Sequence, residues 1–151
     1  MKTLFALYLI FGFGVLTSAT SSNFTKQAEM HAAGTEMEAV TDHLVVLWTS
    51  DDPYLAERMV LMYTHAAKTY GWFEEVTLII WGPSAKLVAE NLPVREKLIN
   101  MQADGVIIEA CVVCANEYGV TENLRDLGLD VKPMGRPLTD YIKSGFNVLT
   151  F

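Results

Sequence analysis

Apolar residues along the chain follow two rhythms. Leu44-Val45-Val46-Leu47-Trp48 is a continuous run, and similar runs recur at 76–81, 106–110, a short 130–132 and 147–151. Runs of this length without polar alternation predict strands covered on both faces. Between them the period changes to that of a helix, most clearly in Leu55, Met59, Met62, Tyr63 and Ala66, then in Val94, Leu98 and Met101, and in Leu138, Tyr141 and Ile142. Pro53, Pro83, Pro93 and Pro137 stand where helices should begin, since a first-turn residue loses nothing by lacking an N–H. Gly71-Trp72, Gly105-Val106, Gly128-Leu129 and Gly145-Phe146 stand where they should end, a glycine cap followed by an apolar residue. Strand and helix alternating about four times predict right-handed crossovers and an α/β domain: a three-layer α/β/α arrangement on a five-stranded, mostly parallel sheet.

The amino-terminal end does not share this pattern. Lys2 precedes a thirteen-residue apolar run, Leu4–Leu16, and small polar residues follow, with Ala19 at a plausible cleavage position. The run is shorter than the roughly 20 residues a membrane-spanning helix needs. Residues 1–19 therefore read as a signal peptide and residues 20–42 as a leader or flexible segment, with the folded domain at 43–151. The mature protein is expected to be periplasmic or secreted, with no stable membrane span after cleavage.

The chain has 151 residues, enough for one domain of ordinary size, and its 51% hydrophobic and 19% charged content excludes disorder. A net charge of −7 without a Lys/Arg cluster removes the electrostatic term that holds proteins on nucleic acid, so no nucleic-acid partner is expected. Neither G-x-G-x-x-G after the first strand nor G-x-x-x-x-G-K-[ST] occurs, so no dinucleotide or nucleoside triphosphate site is indicated, and no cofactor is assigned. His31, His43 and His65 lack paired spacing and no second C-x-x-C exists, so no metal site is expected either.

Ligands of open parallel sheets collect beyond the carboxyl ends of the strands, at the point where strand order reverses. Those ends are Thr49-Ser50-Asp51-Asp52, Gly82-Pro83-Ser84, Cys111-Val112-Val113-Cys114 and Met134-Gly135-Arg136. Ser50, Asp51, Gly82, Ser84 and Gly135 are the candidate lining of a pocket there. Asp51 and Asp52 would flank the cysteines if the first and third strands were neighbours. Asp52 before Pro53 is more simply an N-cap, and Ser84 more simply a first-turn residue. Trp48, Trp72 and Trp81, at element ends, are expected to close the core or a subunit interface.

Both cysteines of the chain fall on this edge. Cys111 directly follows Val106-Ile107-Ile108-Glu109-Ala110 and precedes a helix, so its sulfur should face unsatisfied N–H groups, a setting that favours thiolate and nucleophilic chemistry. Burial among apolar groups would act the other way. Three other readings stand beside it: two small buried hydrophobes or a local disulfide, thiol–disulfide exchange through C-x-x-C, and a non-catalytic oligomeric module that binds a small ligand.

Leu44 to Ser50, Ile80-Trp81-Gly82-Pro83-Ser84, Ala110 to Val120 and Ser144 to Phe151 together resemble the DsrE/DsrF-like family over 43–151. Sulfur-relay members of that family carry a cysteine after the third strand, eight residues before a Gly that precedes an apolar residue, as Cys111 stands before Gly119-Val120. The resemblance implies an α/β/α fold, homotrimers or homohexamers, and transfer of sulfane sulfur between this chain and a cysteine-bearing donor or acceptor protein. It assigns the persulfide to Cys111, with Cys114 as a resolving or auxiliary thiol. The export signal and the second cysteine mark the chain as resembling an exported branch.

Overall fold

The computed structural model describes residues 42–151. The expected signal peptide (1–19) and the expected leader, as far as residue 41, lie outside the described residues. Five strands form one sheet: β1 (His43–Trp48), β2 (Glu75–Ile80), β3 (Ile107–Cys111), β4 (Asp130–Lys132) and β5 (Asn147–Thr150). Their order is β4-β3-β2-β1-β5 and all four pairings are parallel.

The connections are helical. A first turn α1 (Pro53–Leu55) runs through a π-helical stretch (Ala56–Val60) into α2 (Leu61–Thr69). Then come α3 (Ser84–Glu90), α4 (Leu92–Ala103), α5 (Val112–Glu117), α6 (Thr121–Asp126) and α7 (Gly135–Lys143). Pro53 and Pro93 lie in first turns, Pro83 directly precedes α3, and Pro137 is the third residue of α7. Asp52 caps α1, its Oδ1 accepting from the N–H groups of Tyr54 (2.8 Å) and Leu55 (3.3 Å). Each predicted glycine stop has a left-handed φ.

The crossovers from β1 to β4 all run one way and reverse only to reach β5, so the helices divide unequally. One face carries the main core: Leu44, Val46 and Trp48 of β1 and Val76, Leu78 and Ile80 of β2 pack against residues of the π-helical stretch and of α2 to α6. Among the described residues the other face is covered mainly by α7, with Val45, Ile79, Cys111 and Met134 at its centre and Leu138, Tyr141, Phe146 and Val148 around them.

Two expectations about burial need correction. The stripe predicted to face the core begins with Leu55 and Met59, yet Met59 and Met62 are about half exposed and the residues turned inward are Ala56, Val60, Leu61, Thr64 and Ala67. The wide π turn at 56–60 shifts the phase of the helix, and small inward residues let it approach the sheet closely. The run 147–151 predicts a strand covered on both faces, but β5 is the edge strand beyond β1 and most of it is exposed. Of the three tryptophans, Trp48 is fully buried and Trp81 packs beside Cys111, whereas Trp72 lies half in solvent against Tyr63 and Tyr70.

Candidate functional site

The chain passes from β3 into α5 within the C-x-x-C segment. Cys111 is both the last residue of β3 and the N-cap of α5, with φ −73° and ψ 110°, and its side chain makes no capping hydrogen bond. Because side chains alternate along a strand, Cys111 shares the α7 face with Glu109, while Ile108 and Ala110 enter the main core. One turn into the helix, Cys114 packs on the same cluster. Gly119 ends α5 at φ +67°, and the Val120 N–H closes on Ala115 O at 2.9 Å, a glycine-capped end that fixes the spacing from Cys111 to Gly119.

Both thiols are free, and they differ in depth. Cys111 is 3% exposed, set among Val45, Ile79 and Met134, whereas Cys114 is partly open. Of the two settings the sequence left open for Cys111, the described chain presents the buried one. The odd-numbered place of Cys111 on β3 turns it to the α7 face, where Met134, just before that helix, is buried in the same cluster. Burial pushes the Cys114 thiol above its ordinary value, the Gly82 backbone N–H pulls it partly back, and the Cys111 side chain adds to the rise.

Of the candidate pocket residues, Gly82 alone joins the thiols. It takes φ +67° after β2, and this turn directs its N–H to Cys114. Ser84 is fully buried and committed: its hydroxyl donates to Trp48 O (2.7 Å) and accepts from the Trp81 N–H (3.0 Å), which ties the ends of β1 and β2 together. The Ser50 Oγ accepts from the Asp52 N–H at 3.1 Å, a local turn. Asp51 is exposed beyond β1. It does not flank the cysteines, because β2 lies between β1 and β3. Gly135 is exposed at the start of α7. The reversal of strand order falls beside β1, two strands from Cys111.

Around Glu109 lies a polar group that sequence reasoning did not single out. Its carboxylate, almost closed to solvent, pairs with Lys132 Nζ at 2.6 Å and accepts from the Tyr141 hydroxyl at 3.2 Å. Lys132 also pairs with Asp130. Burial alone would lower the Lys132 pKa, but the hydrogen bonds that Lys132 donates to Asp130 and Glu109 outweigh this and hold the ammonium charged above the ordinary lysine range. Farther along this face His43 bonds Thr77 Oγ1 at 2.9 Å and packs on Phe146. The available signal was Glu109 itself, one charge inside an otherwise apolar strand run. His65 Nε2 lies 2.6 Å from Asp104 Oδ2.

A cleft of about 460 Å³, lined by Asp42, His43, Glu74, Glu75 and Phe146, opens at the amino ends of β1 and β2, away from the cysteines. Among the described residues no group of three or more His, Cys, Asp or Glu is placed to hold a metal ion, and no helix is long and apolar enough to cross a membrane.

Comparison with known proteins agrees with this geometry. Residues 43–151 match the DsrE/DsrF-like family. A conserved protein of unknown function from Bacteroides thetaiotaomicron is 38% identical with a TM-score of 0.71, over 73% of this chain and 95% of that one. The ychN protein from E. coli has the same fold at 16% identity and a TM-score of 0.56, over 72% of this chain and 97% of that one. Among curated proteins the sequence finds no match.

Proposed function

The chain belongs to the DsrE/DsrF-like family, and from that premise we propose that it is a sulfur-handling protein in which Cys111 carries sulfane sulfur as a persulfide. The observation that supports this reading is the pair of free thiols in contact at the β3–α5 junction, with Cys111 eight residues before the glycine cap of the helix.

The chemistry needs a nucleophilic sulfur and a donor. The Cys111 thiolate attacks the terminal sulfur of an incoming persulfide, R–S–SH. The donor S–S bond breaks, a new S–S bond forms on Cys111, and R–S⁻ leaves to take up the proton that Cys111 released. No electrons are exchanged overall. Because Cys111 is covered and Cys114 is partly open, the route to the deeper sulfur passes Cys114, which is the first thiol a visitor meets. Passage of the outer sulfur atom to Cys114 returns it to the surface. Attack by Cys114 on the inner sulfur instead closes a disulfide and expels HS⁻.

Incubating the reduced protein with an inorganic polysulfide and weighing it intact tests the proposal. The expected result is one added sulfur, absent in Cys111→Ala. No adduct on the unmodified sequence removes the persulfide reading. A Cys111–Cys114 disulfide with a measurable redox couple and no sulfur gain moves the protein to thiol–disulfide exchange, the reading that thiol contact also supports.

The same proposal includes export after cleavage of residues 1–19, self-assembly, and a cysteine-bearing partner. Export rests on the Lys2–Ala19 pattern. Exposed Ile142 and Leu149, on α7 and on the edge strand, support self-assembly.

A further inference from the structure

Glu109 and Lys132 form an ion pair in the part of the sheet where apolar packing would serve stability as well or better, since replacing a buried ion pair with well-packed apolar side chains is often neutral or stabilising. Their position relative to the thiols gives the pair a use. In the parallel pairing of β3 with β4, Cys111 is the register partner of Lys132, and Glu109 that of Asp130. Register partners project to the same face, so Lys132 leaves its strand beside Cys111. Its four-carbon stem is long enough to cross the roughly 4.8 Å between neighbouring strands. At rest the ammonium is turned toward Glu109 and Asp130.

We propose that Lys132 is the positioning residue for the anionic sulfur of Cys111: held beside it by Glu109, it exchanges its contact with the exposed Asp130 for the thiolate or persulfide anion. This rests on the persulfide reading of Cys111 and adds to it the source of the compensating charge. A persulfide carried in an apolar setting adds one negative charge, which is costly unless a cation is at hand. Lys132 is the ammonium whose strand position adjoins the sulfur. Asp130, more than half exposed, is the weaker of its two holds, because solvent screens that pair while Glu109 is buried.

The charged and titratable groups around Lys132 are Asp130 on its own strand, Glu109 on β3 and Tyr141 on α7, with Glu75 acting on Tyr141 and His43 packed against its ring. Arg136 and Asp140 of α7 satisfy each other at 2.8 Å. The phenol of Tyr141 is held in its neutral form by burial and by Glu109, so it contributes a hydrogen bond and no charge.

The test is the rate of iodoacetamide modification of Cys111, read by mass in the full chain carrying Cys114→Ala so that one thiol reports. Lys132→Met should slow it about tenfold at neutral pH, the scale of losing one neighbouring cation. Lys132→Arg should restore most of the rate. The difference should close at strongly alkaline pH, where the thiol ionises whatever its neighbours, which a change of packing or access would not produce. If Lys132→Met does not fold, Glu109→Gln with Lys132→Met removes both charges of the pair together and should show the same slowing. Equal rates in parent and variant at neutral pH overturn the proposal, as does a difference that persists unchanged into alkali. Because the assay uses no sulfur donor, its failure is separable from that of the persulfide reading, which the polysulfide experiment decides alone.

Discussion

The Tyr141 hydroxyl lies 3.2 Å from each carboxylate oxygen of Glu109, so one phenolic proton is shared by both acceptors of a nearly closed carboxylate. Removing that donor leaves Glu109 to Lys132 alone. Tyr141→Phe should cost about 1.5 kcal/mol, the lower end for hydrogen bonds to charged groups because the contact is long and divided. Urea unfolding measures it, and an unchanged midpoint would show that the shared bond contributes nothing.

Alkali should act on the same residue. Burial, then the Glu109 charge and hydrogen bond, raise the Tyr141 phenol above its ordinary range. A group whose folded pKa is raised favours the protonated native state. Its contribution is therefore complete below the unfolded value near 10 and is lost as pH climbs through the raised one. Absorbance titration should show a phenol transition on the alkaline side that Tyr141→Phe deletes and Glu109→Gln moves back toward neutrality. Its presence at the ordinary phenol position would contradict the geometry.

Ser84 offers a test of the strand ends rather than of chemistry. Its hydroxyl serves Trp48 O and the Trp81 N–H inside a fully buried site. Ser84→Ala removes these side-chain bonds, while the direct Trp81 N–H to Trp48 O bond (2.9 Å) remains, and should destabilise the fold by about 0.5–1.5 kcal/mol. A ligand-binding role would instead leave thermal stability intact and change only binding, so a melting measurement separates the two.

For Cys114 the direction is slow labelling. Its thiol is raised by burial and by Cys111, which lowers the thiolate fraction at neutral pH, and thiolate is the reactive form. Maleimide should modify it more slowly than a small free thiol, and more quickly in Cys111→Ala, where one of the raising contacts is gone. Faster labelling in the parent than in Cys111→Ala would reverse the assignment of that contact.

Much of the architecture is legible in residue order. The runs at 44–48 and 76–81 give β1 and β2, and the glycine stops at 71, 105, 128 and 145 take left-handed φ, because continuous apolar runs and glycine caps are local signals that tertiary structure had no reason to override. The helix after β1 was harder. Met59 and Met62 are larger than Ala56 and Val60, yet a π turn and the need for close approach to the sheet turned the smaller residues inward. At the site, the place of the cysteines after β3 follows from the pattern, but the depth of Cys111 does not. Depth depends on which sheet face an odd-numbered residue meets and on Met134 joining its cluster from 23 positions away (134 − 111). The Glu109–Lys132–Tyr141 group escaped for a related reason: its members are distant in sequence and meet only through β-pairing and the docking of α7.

Cys111 ends a strand and begins a helix in a single step, so its backbone is anchored by sheet bonding on one side and by helical bonding on the other. Carrier proteins that shuttle a group between stations usually mount it on a long tether or a swinging domain. A sulfur on so short and stiff a mount cannot travel. If Cys111 carries sulfur as proposed, delivery and collection fall to the visitor, and a docking protein would bring its own cysteine on a projecting, pliable segment narrow enough to slip beside Gly82.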